Sequence, residues 1–145
     1  MSKFKYRFEN IKRIKETFEK EVQRQIKLID KEISRLYEYI EELESEKDNE
    51  KKNIFNKSFV NSKELHFYSN IEKLIDEKIE LANQKIAGLK EEKKKKINEL
   101  LVKSKERRIF EKLEEHHYEE FKLNENKAEQ KEVDEFANKK FIKNN

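Results

Sequence analysis

The chain has 145 residues, of which 46% are charged and only 34% are hydrophobic. This balance excludes an ordinary globular domain, because there is too little apolar surface to fill a thick core. Two classes of protein fit: a disordered chain, or long helices that meet along a narrow apolar seam. The 35 basic and 32 acidic residues nearly cancel, whereas disordered chains of this kind usually carry a large net charge. This near-neutrality and the regular spacing of the apolar residues favour helices.

Almost nothing in the sequence interrupts a helix. Proline is absent and the only glycine is Gly88, and these are the two residues that disfavour helix interiors most. No segment alternates apolar and polar residues between turn signals, so a sheet is not expected. Cysteine is absent, and neither a signal peptide nor an apolar run of about 20 residues is present. We therefore expect a cytoplasmic, helical protein.

The first half of the chain has the pattern of a coiled coil. From Val22 onward the apolar residues recur in alternating steps of four and three, which is typical of a heptad seam. These residues are Val22, Ile26, Ile29, Ile33, Leu36, Ile40 and Leu43. Before them, Phe18 lies four residues from Val22, so two steps of four follow each other and predict a stutter in the heptads. The pattern predicts a first helix over residues 5–55, approximately.

A turn is predicted between the two halves, in a segment rich in asparagine and serine. These side chains compete with helical backbone hydrogen bonds. Ser69 and Glu72 match a capping box, which marks a helix start, and Asn61 with Glu64 is a weaker match. We therefore predict a turn region over about residues 56–69 and a second helix over about residues 70–141.

The second half carries a less regular apolar stripe, which we expect to run on through Ala128, Val133 and Phe136. Lys93 occupies one of its seam positions. Neither polar helix is expected to be stable alone, and folding back lets the two seams bury each other. The sequence thus predicts an all-α, single-domain protein over residues 1–145, a long antiparallel two-helix coiled coil or helical hairpin. A trimeric coil and a parallel dimeric coil are the alternatives.

The side-chain chemistry argues against an enzyme. His116 and Glu120 share a helix face, but a metal needs further ligands, and a glycine-poor chain has no phosphate-binding loop. No catalytic, cofactor-binding or metal site is predicted. The run Lys93–Lys96 is flanked by acids and lacks the context of a basic zipper, so nucleic-acid binding is not expected either.

Two apolar groups in the sequence have both a structural and a functional interpretation. Phe4, Tyr6 and Phe8 precede the clear seam, and they either begin an amphipathic helix or form a docking tip. The turn region holds more apolar side chains than a solvated loop requires, so it contains either a local cluster or a partner-binding patch. The residues of this candidate patch are Phe59, Val60, Leu65, Phe67 and Tyr68.

Both ends of the chain carry a recognisable motif. The first motif is the aromatic opening Phe4-Lys-Tyr-Arg-Phe-Glu-Asn-Ile11. The second is a C-terminal signature that starts at Lys105-Glu-Arg-Arg108 and Leu113-Glu-Glu115 and continues in Glu129-Gln-Lys131 and Asp134-Glu135. Together the two motifs resemble the FliJ family of flagellar type III export proteins. The resemblance spans nearly the whole chain, and its C-terminal part is the more specific.

The resemblance implies a non-enzymatic stalk similar to the γ subunit of rotary ATPases. It implies binding to the hexameric export ATPase FliI and to the export-gate protein FlhA, and escort of export chaperones. It also implies a location at the inner face of the cell membrane, held there by the export apparatus without insertion into the membrane. On this basis we expect the turn-region patch to bind the gate and a second group of residues to bind the ATPase ring. That second group consists of Lys12, Arg13, Arg24, Glu129, Gln130, Lys131, Asp134 and Glu135.

Two other functions fit the same pattern. The chain could be the equivalent stalk of a virulence type III secretion system, which has the same geometry and different partners. It could also be a purely structural coiled-coil scaffold, which should extend its heptads without a turn and form longer parallel assemblies.

Overall fold

The computed structural model describes residues 2–144, and all the regular secondary structure within them is α-helical. Helix α1 is Glu9–Phe55, with 47 residues, and helix α2 is Ser62–Asn144, with 83 residues. The two helices pack against each other, which confirms the predicted all-α hairpin. The chain divides into two compact units: a terminal unit with the residues up to Lys20 and those from Leu101 onward, and a turn-side unit from Glu21 to Leu100.

Contacts within each unit run antiparallel. In the turn-side unit Lys47 Nζ lies 2.8 Å from Asp76 Oδ1, and Lys93 Nζ lies 2.7 Å from Asp30 Oδ1. In the terminal unit Ser2 Oγ lies 3.3 Å from Glu125 Oε1. A residue of α1 that lies nearer the turn therefore contacts a residue of α2 that also lies nearer the turn, as expected of a chain folded back on itself.

The turn is shorter than predicted and spans residues 56–61. Helix α2 begins at Ser62, eight residues before the expected Asn70, because Asn61 and not Ser69 caps it. The Asn61 side-chain oxygen accepts a hydrogen bond from the Glu64 backbone N–H at 2.8 Å. This bond satisfies one of the amides that a helix start leaves without a partner.

The heptads of α1 are unbroken, so the predicted stutter at Phe18 is wrong. Buried and half-buried positions follow alternating steps of three and four from residue 12 to residue 54. Phe18 is 47% exposed and Glu19, next to it, is 8% exposed and occupies the seam. A charged residue can take this position because α2 supplies charged partners for it.

The turn-side unit has an apolar core. Ile40, Ala82 and Ile86 are its buried centre. Partly buried aliphatic side chains pack against this centre, namely Ile33, Leu36 and Ile79. Lys93 is half-buried at a seam position, as its spacing predicted. Its ammonium group lies at Asp30, so the aliphatic stem can lie along the seam while the charge is paired.

The C-terminal part of α2 extends past the last residues that pack against it. Ser2, at the start of the described chain, contacts Glu125, and residues 126–143 are all exposed. The expectation that Ala128, Val133 and Phe136 continue the seam is therefore wrong. Their spacing fits a seam, but no described segment of the chain covers them.

Candidate partner-binding surfaces

The most buried charge in the described chain is Glu19, which lies in an ionic cluster between the two helices of the terminal unit. Its carboxylate accepts hydrogen bonds from Arg107 and, at 2.9 Å, from Ser104 Oγ. Arg107 also donates to Glu111 at 2.6 Å. Burial alone raises the pKa of the Glu19 carboxyl, but the hydrogen bonds and the charge of Arg107 outweigh it and leave this pKa below its ordinary value.

Two lysines of α1 also lie at seam positions of the terminal unit. Lys12 Nζ is 2.6 Å from Glu114 Oε2, and Lys15 Nζ is 3.1 Å from Glu106 Oε2. The hydrogen bond to Glu114 raises the pKa of Lys12 above its ordinary value. Lys12 is one of the residues expected to contact the ATPase ring, and in the chain by itself its ammonium group is paired with Glu114.

The N-terminal aromatic residues pack within the chain rather than forming a free docking tip. Tyr6 is buried, and its hydroxyl donates a 2.7 Å hydrogen bond to the carbonyl oxygen of Phe110. The Phe4 and Tyr118 ring centroids are 5.3 Å apart, in an edge-on arrangement typical of aromatic pairs. His117 lies 5.6 Å from the Tyr6 ring. This aromatic cluster attaches residues 4–8 to α2 before α1 begins.

Arg13 and Arg24, two further candidates for ring binding, are exposed. Arg13 Nε lies 3.2 Å from Glu9, and Arg24 Nη2 lies 2.7 Å from Glu21. Both pairs join neighbouring turns of one helix at the surface, where such pairs contribute little to stability. Both guanidinium groups are therefore available to a partner, Arg13 in the terminal unit and Arg24 in the turn-side unit.

The C-terminal candidates Glu129, Gln130, Lys131, Asp134 and Glu135 are all exposed on α2. Gln130 donates a 3.1 Å hydrogen bond to Asp134, one turn further along. They lie in the part of α2 that no other described segment covers. The structure thus groups these five residues on one exposed helical segment.

The candidate gate-binding residues at the turn are divided between exposed and half-buried positions. Phe59 is 87% exposed and Phe67 is 67% exposed, and Leu65 is exposed as well. Val60 and Tyr68 are half-buried. Isolated exposed apolar residues are common, but several close together, on the turn and in the first two turns of α2, are characteristic of an interaction surface.

A cleft of about 450 Å³ lies beside this turn, with a mixed lining. Ile54, Phe67 and Tyr68 provide apolar walls, and Lys57 and Glu64 provide charge. Burial, followed by the charge of Glu72, raises the pKa of the Tyr68 hydroxyl above its ordinary value. The hydroxyl therefore stays protonated at neutral pH and can donate a hydrogen bond.

A metal site and a membrane-spanning helix are two further features that a helical protein can have. Among residues 2–144, no group of three or more histidine and carboxylate side chains could hold a metal ion. Over the same residues, neither helix contains a stretch that is long and apolar enough to cross a membrane.

Comparison with known protein families identifies a family for this chain. A family model described as "Flagellar FliJ protein" matches residues 4–145, which is essentially the whole chain. No curated protein and no solved structure is similar enough to match. The match agrees with the aromatic opening and the C-terminal signature noted in the sequence. The chain belongs to the FliJ family and is a component of the flagellar type III export system.

Proposed function

We propose that this protein is the central stalk of the flagellar export apparatus. In this proposal the terminal unit and, in the turn-side unit, Arg24 bind the hexameric export ATPase, and the turn region binds the export-gate protein at the inner face of the cell membrane. The stalk also escorts export chaperones. It performs no reaction itself. It acts by presenting a charged surface to the ATPase and an apolar surface to the gate protein. Membership of a flagellar family favours this role over that of a virulence stalk or a scaffold.

The observation that carries the ATPase part of the proposal is the uncovered segment of α2 after Glu125. All its side chains up to residue 143 are exposed, and it holds a dense mixture of acids and lysines. A slender helix of about 10–12 Å diameter can enter the pore of a ring. Arg13 adds an exposed cation in the same unit, paired only at the surface with Glu9, whereas Lys12 joins the two helices through Glu114.

The turn supports the second contact in the proposal. Phe59 and Phe67 expose most of their surface, and aromatic side chains of this kind dominate the free energy of protein–protein binding. The adjacent cleft offers Lys57, Glu64 and the Tyr68 hydroxyl for polar contacts. An apolar patch with polar groups at its edge is the usual composition of a binding surface.

The ATPase contact is tested with the variant R13E/R24E and the purified cognate ATPase. We expect weaker binding and less stimulation of ATP hydrolysis, since both exposed cations change sign. The matched control is K20E/K27E, which changes the same net charge at two other exposed positions of α1. If R13E/R24E, still fully helical by circular dichroism, binds and stimulates like the control, this placement is wrong.

The gate contact is tested with the variant F59A/F67A and the cytoplasmic part of the gate protein. We expect at least about a ten-fold loss of gate affinity, since truncating a hot-spot aromatic typically costs 2 kcal/mol or more. ATPase binding should be unchanged. L81A/L101A is the control, because both leucines are exposed outside the turn. Equal loss of both partners in F59A/F67A would point to misfolding and not to a gate contact.

A further inference from the structure

The exposed C-terminal segment of α2 has an ordered distribution of charge. Residues 128–135 contain the acids Glu129, Glu132, Asp134 and Glu135 with one lysine, and residues 136–143 contain Lys139, Lys140 and Lys143 and no acid. All of these side chains are exposed. The segment is therefore acidic in its first half and basic in its second.

Five of these residues form one stripe, centred on Phe136. Glu132 and Lys140 lie four residues before and after it, and Glu129 and Lys143 lie seven residues before and after it. At 3.6 residues per turn, all five lie within about 80° of one another around the helix axis. We call these five residues the Phe136 stripe. Phe136 is 69% exposed, and the exposed Val133 lies next to it on the helix surface.

If the Phe136 stripe is turned end to end about Phe136, each acid takes the position of a lysine and each lysine the position of an acid. A second copy of the chain, laid antiparallel with Phe136 against Phe136, therefore places Glu129 opposite Lys143 and Glu132 opposite Lys140, twice over. A parallel copy would place equal charges against each other, which is unfavourable. The stripe is complementary to itself in the antiparallel arrangement only.

The stripe charges are also free to make these contacts. Among residues 2–144, no salt bridge involves Glu129, Glu132, Lys140 or Lys143. In a dimer, each charge of the stripe gains an opposite charge as its neighbour, and Phe136 gains an apolar contact.

We propose that the protein self-associates through the Phe136 stripe into an antiparallel dimer. The occupant of the stripe is the same stripe of a second copy, with the two Phe136 rings at the two-fold axis. The stripe lies on the same exposed segment that the ATPase contact proposed above would use, so the dimer and the ATPase compete for it, and the dimer is tested with no ATPase present. The buried surface is small, so the dimer is weak, with a Kd of the order of 100 μM.

Sedimentation equilibrium of the purified full chain tests the dimer without any partner protein. The wild-type chain should change from monomer to dimer between about 10 μM and 1 mM. The variant E129K/E132K makes the whole stripe positive, and K140E/K143E makes it negative. Each should weaken self-association by at least about ten-fold, because four exposed ion pairs are replaced by like charges. A 1:1 mixture of the two variants should form a heterodimer that is tighter than either homodimer.

The variant D134K/E135K is the matched control. It changes the net charge as much as E129K/E132K does, but both positions lie outside the stripe, so its self-association should stay close to that of the wild type. The quadruple variant E129K/E132K/K140E/K143E has a basic first half and an acidic second half of the stripe, so it should dimerise again. Circular dichroism establishes that all variants remain helical. A wild-type chain that stays monomeric to about 1 mM overturns the proposal, as does a dimer that the reversals leave unchanged.

Discussion

The two units of the molecule use the same heptad geometry with different chemistry. In the turn-side unit, isoleucine and alanine meet at the seam, as Ile40, Ala82 and Ile86 do. In the terminal unit the corresponding positions hold charge, as Glu19 with Arg107 does, or aromatic rings such as Tyr6. Burial of apolar surface stabilises at about 25 cal/mol per Å² and hardly depends on pH or salt. Ion pairs depend on both and contribute less net stability.

This difference shows how a two-helix protein can use one seam to stabilise the fold and another to fix the alignment of its helices. An apolar seam tolerates slippage by one heptad, because any apolar residue can meet another. A buried carboxylate cannot slip away from Arg107 and Ser104 without losing its hydrogen bonds, and such a loss is costly. We therefore expect the turn-side unit to supply most of the free energy of folding and the terminal unit to fix which residues face each other.

The largest effect should come from the apolar core. Ile86→Ala should lower the free energy of unfolding by about 2–4 kcal/mol, since it removes buried methylene groups and leaves a cavity. Leu81→Ala is the matched control, because Leu81 is exposed on the same helix. Urea unfolding followed by circular dichroism measures both. Equal losses for the two variants would mean that the turn-side seam is not the main source of stability.

The next largest effect should come from the ionic cluster. Glu19→Ala should cost about 1–3 kcal/mol, because it leaves the half-buried Arg107 without its main partner. The double variant E19L/R107L should recover most of this loss, since apolar residues can replace a buried ion pair. Amide hydrogen exchange over residues 9–20 locates the change. An E19L/R107L variant that is as unstable as Glu19→Ala would contradict a pairing role for Glu19.

Acid should weaken the terminal unit more than the turn-side unit. The pKa of Glu19 is lowered in the folded state from an ordinary value of 4.5. Its contribution to stability is therefore complete above pH 4.5 and is lost as the pH falls through the folded-state pKa. Amide exchange at pH 7 and pH 3 should show greater loss of protection in residues 9–20 than in residues 29–43. The variant E19L/R107L should remove much of this difference, and a wild-type protein that loses protection uniformly would contradict the prediction.

The smallest effect concerns Gly88, which lies inside α2 in the turn-side unit with open space around it. Gly88→Ala should raise the free energy of unfolding by about 0.5–1 kcal/mol, since alanine loses less backbone entropy in a helix and meets no neighbour here. Ala87→Gly, at the adjacent exposed position, should lower it by a similar amount. Thermal unfolding measures both. A destabilised Gly88→Ala would show that a close contact is formed at this position.

The apolar seam could be predicted from the sequence, and the ionic one could not. From Val22 to Leu43 the spacing of aliphatic residues identifies the buried face directly. Glu19 follows the same spacing, but a charged residue is recognisable as a seam residue only once its partner is known. The spacing does include Glu19, which lies three residues before Val22 and so continues the alternating steps of three and four. This continuity was hidden by the apolar Phe18, which is partly covered by Lys103 at 5.4 Å from its ring.

The ends of the helices were predicted less well, for two physical reasons. Asn61 and Ser69 both have valid capping chemistry, and the local sequence does not show which one the chain uses. The extent of pairing depends on where the turn lies, so Val133 and Phe136 fit a seam pattern although they are exposed and no described segment covers them. The patch at the turn was predicted as a group, and its division between exposed Phe59 and half-buried Tyr68 required the structure.

The position of the turn also determines the order in which the chain can fold. The two residues of a contact are 29 apart in sequence for Lys47 and Asp76, 85 apart for Glu19 and Ser104, and 102 apart for Lys12 and Glu114. Closing a longer loop costs more entropy, so contacts near the turn should form first and the pairing should progress toward the termini. During synthesis the N-terminal segment leaves the ribosome first and acquires its partner last. Its aromatic residues thus stay exposed on the nascent chain until most of the chain has been made.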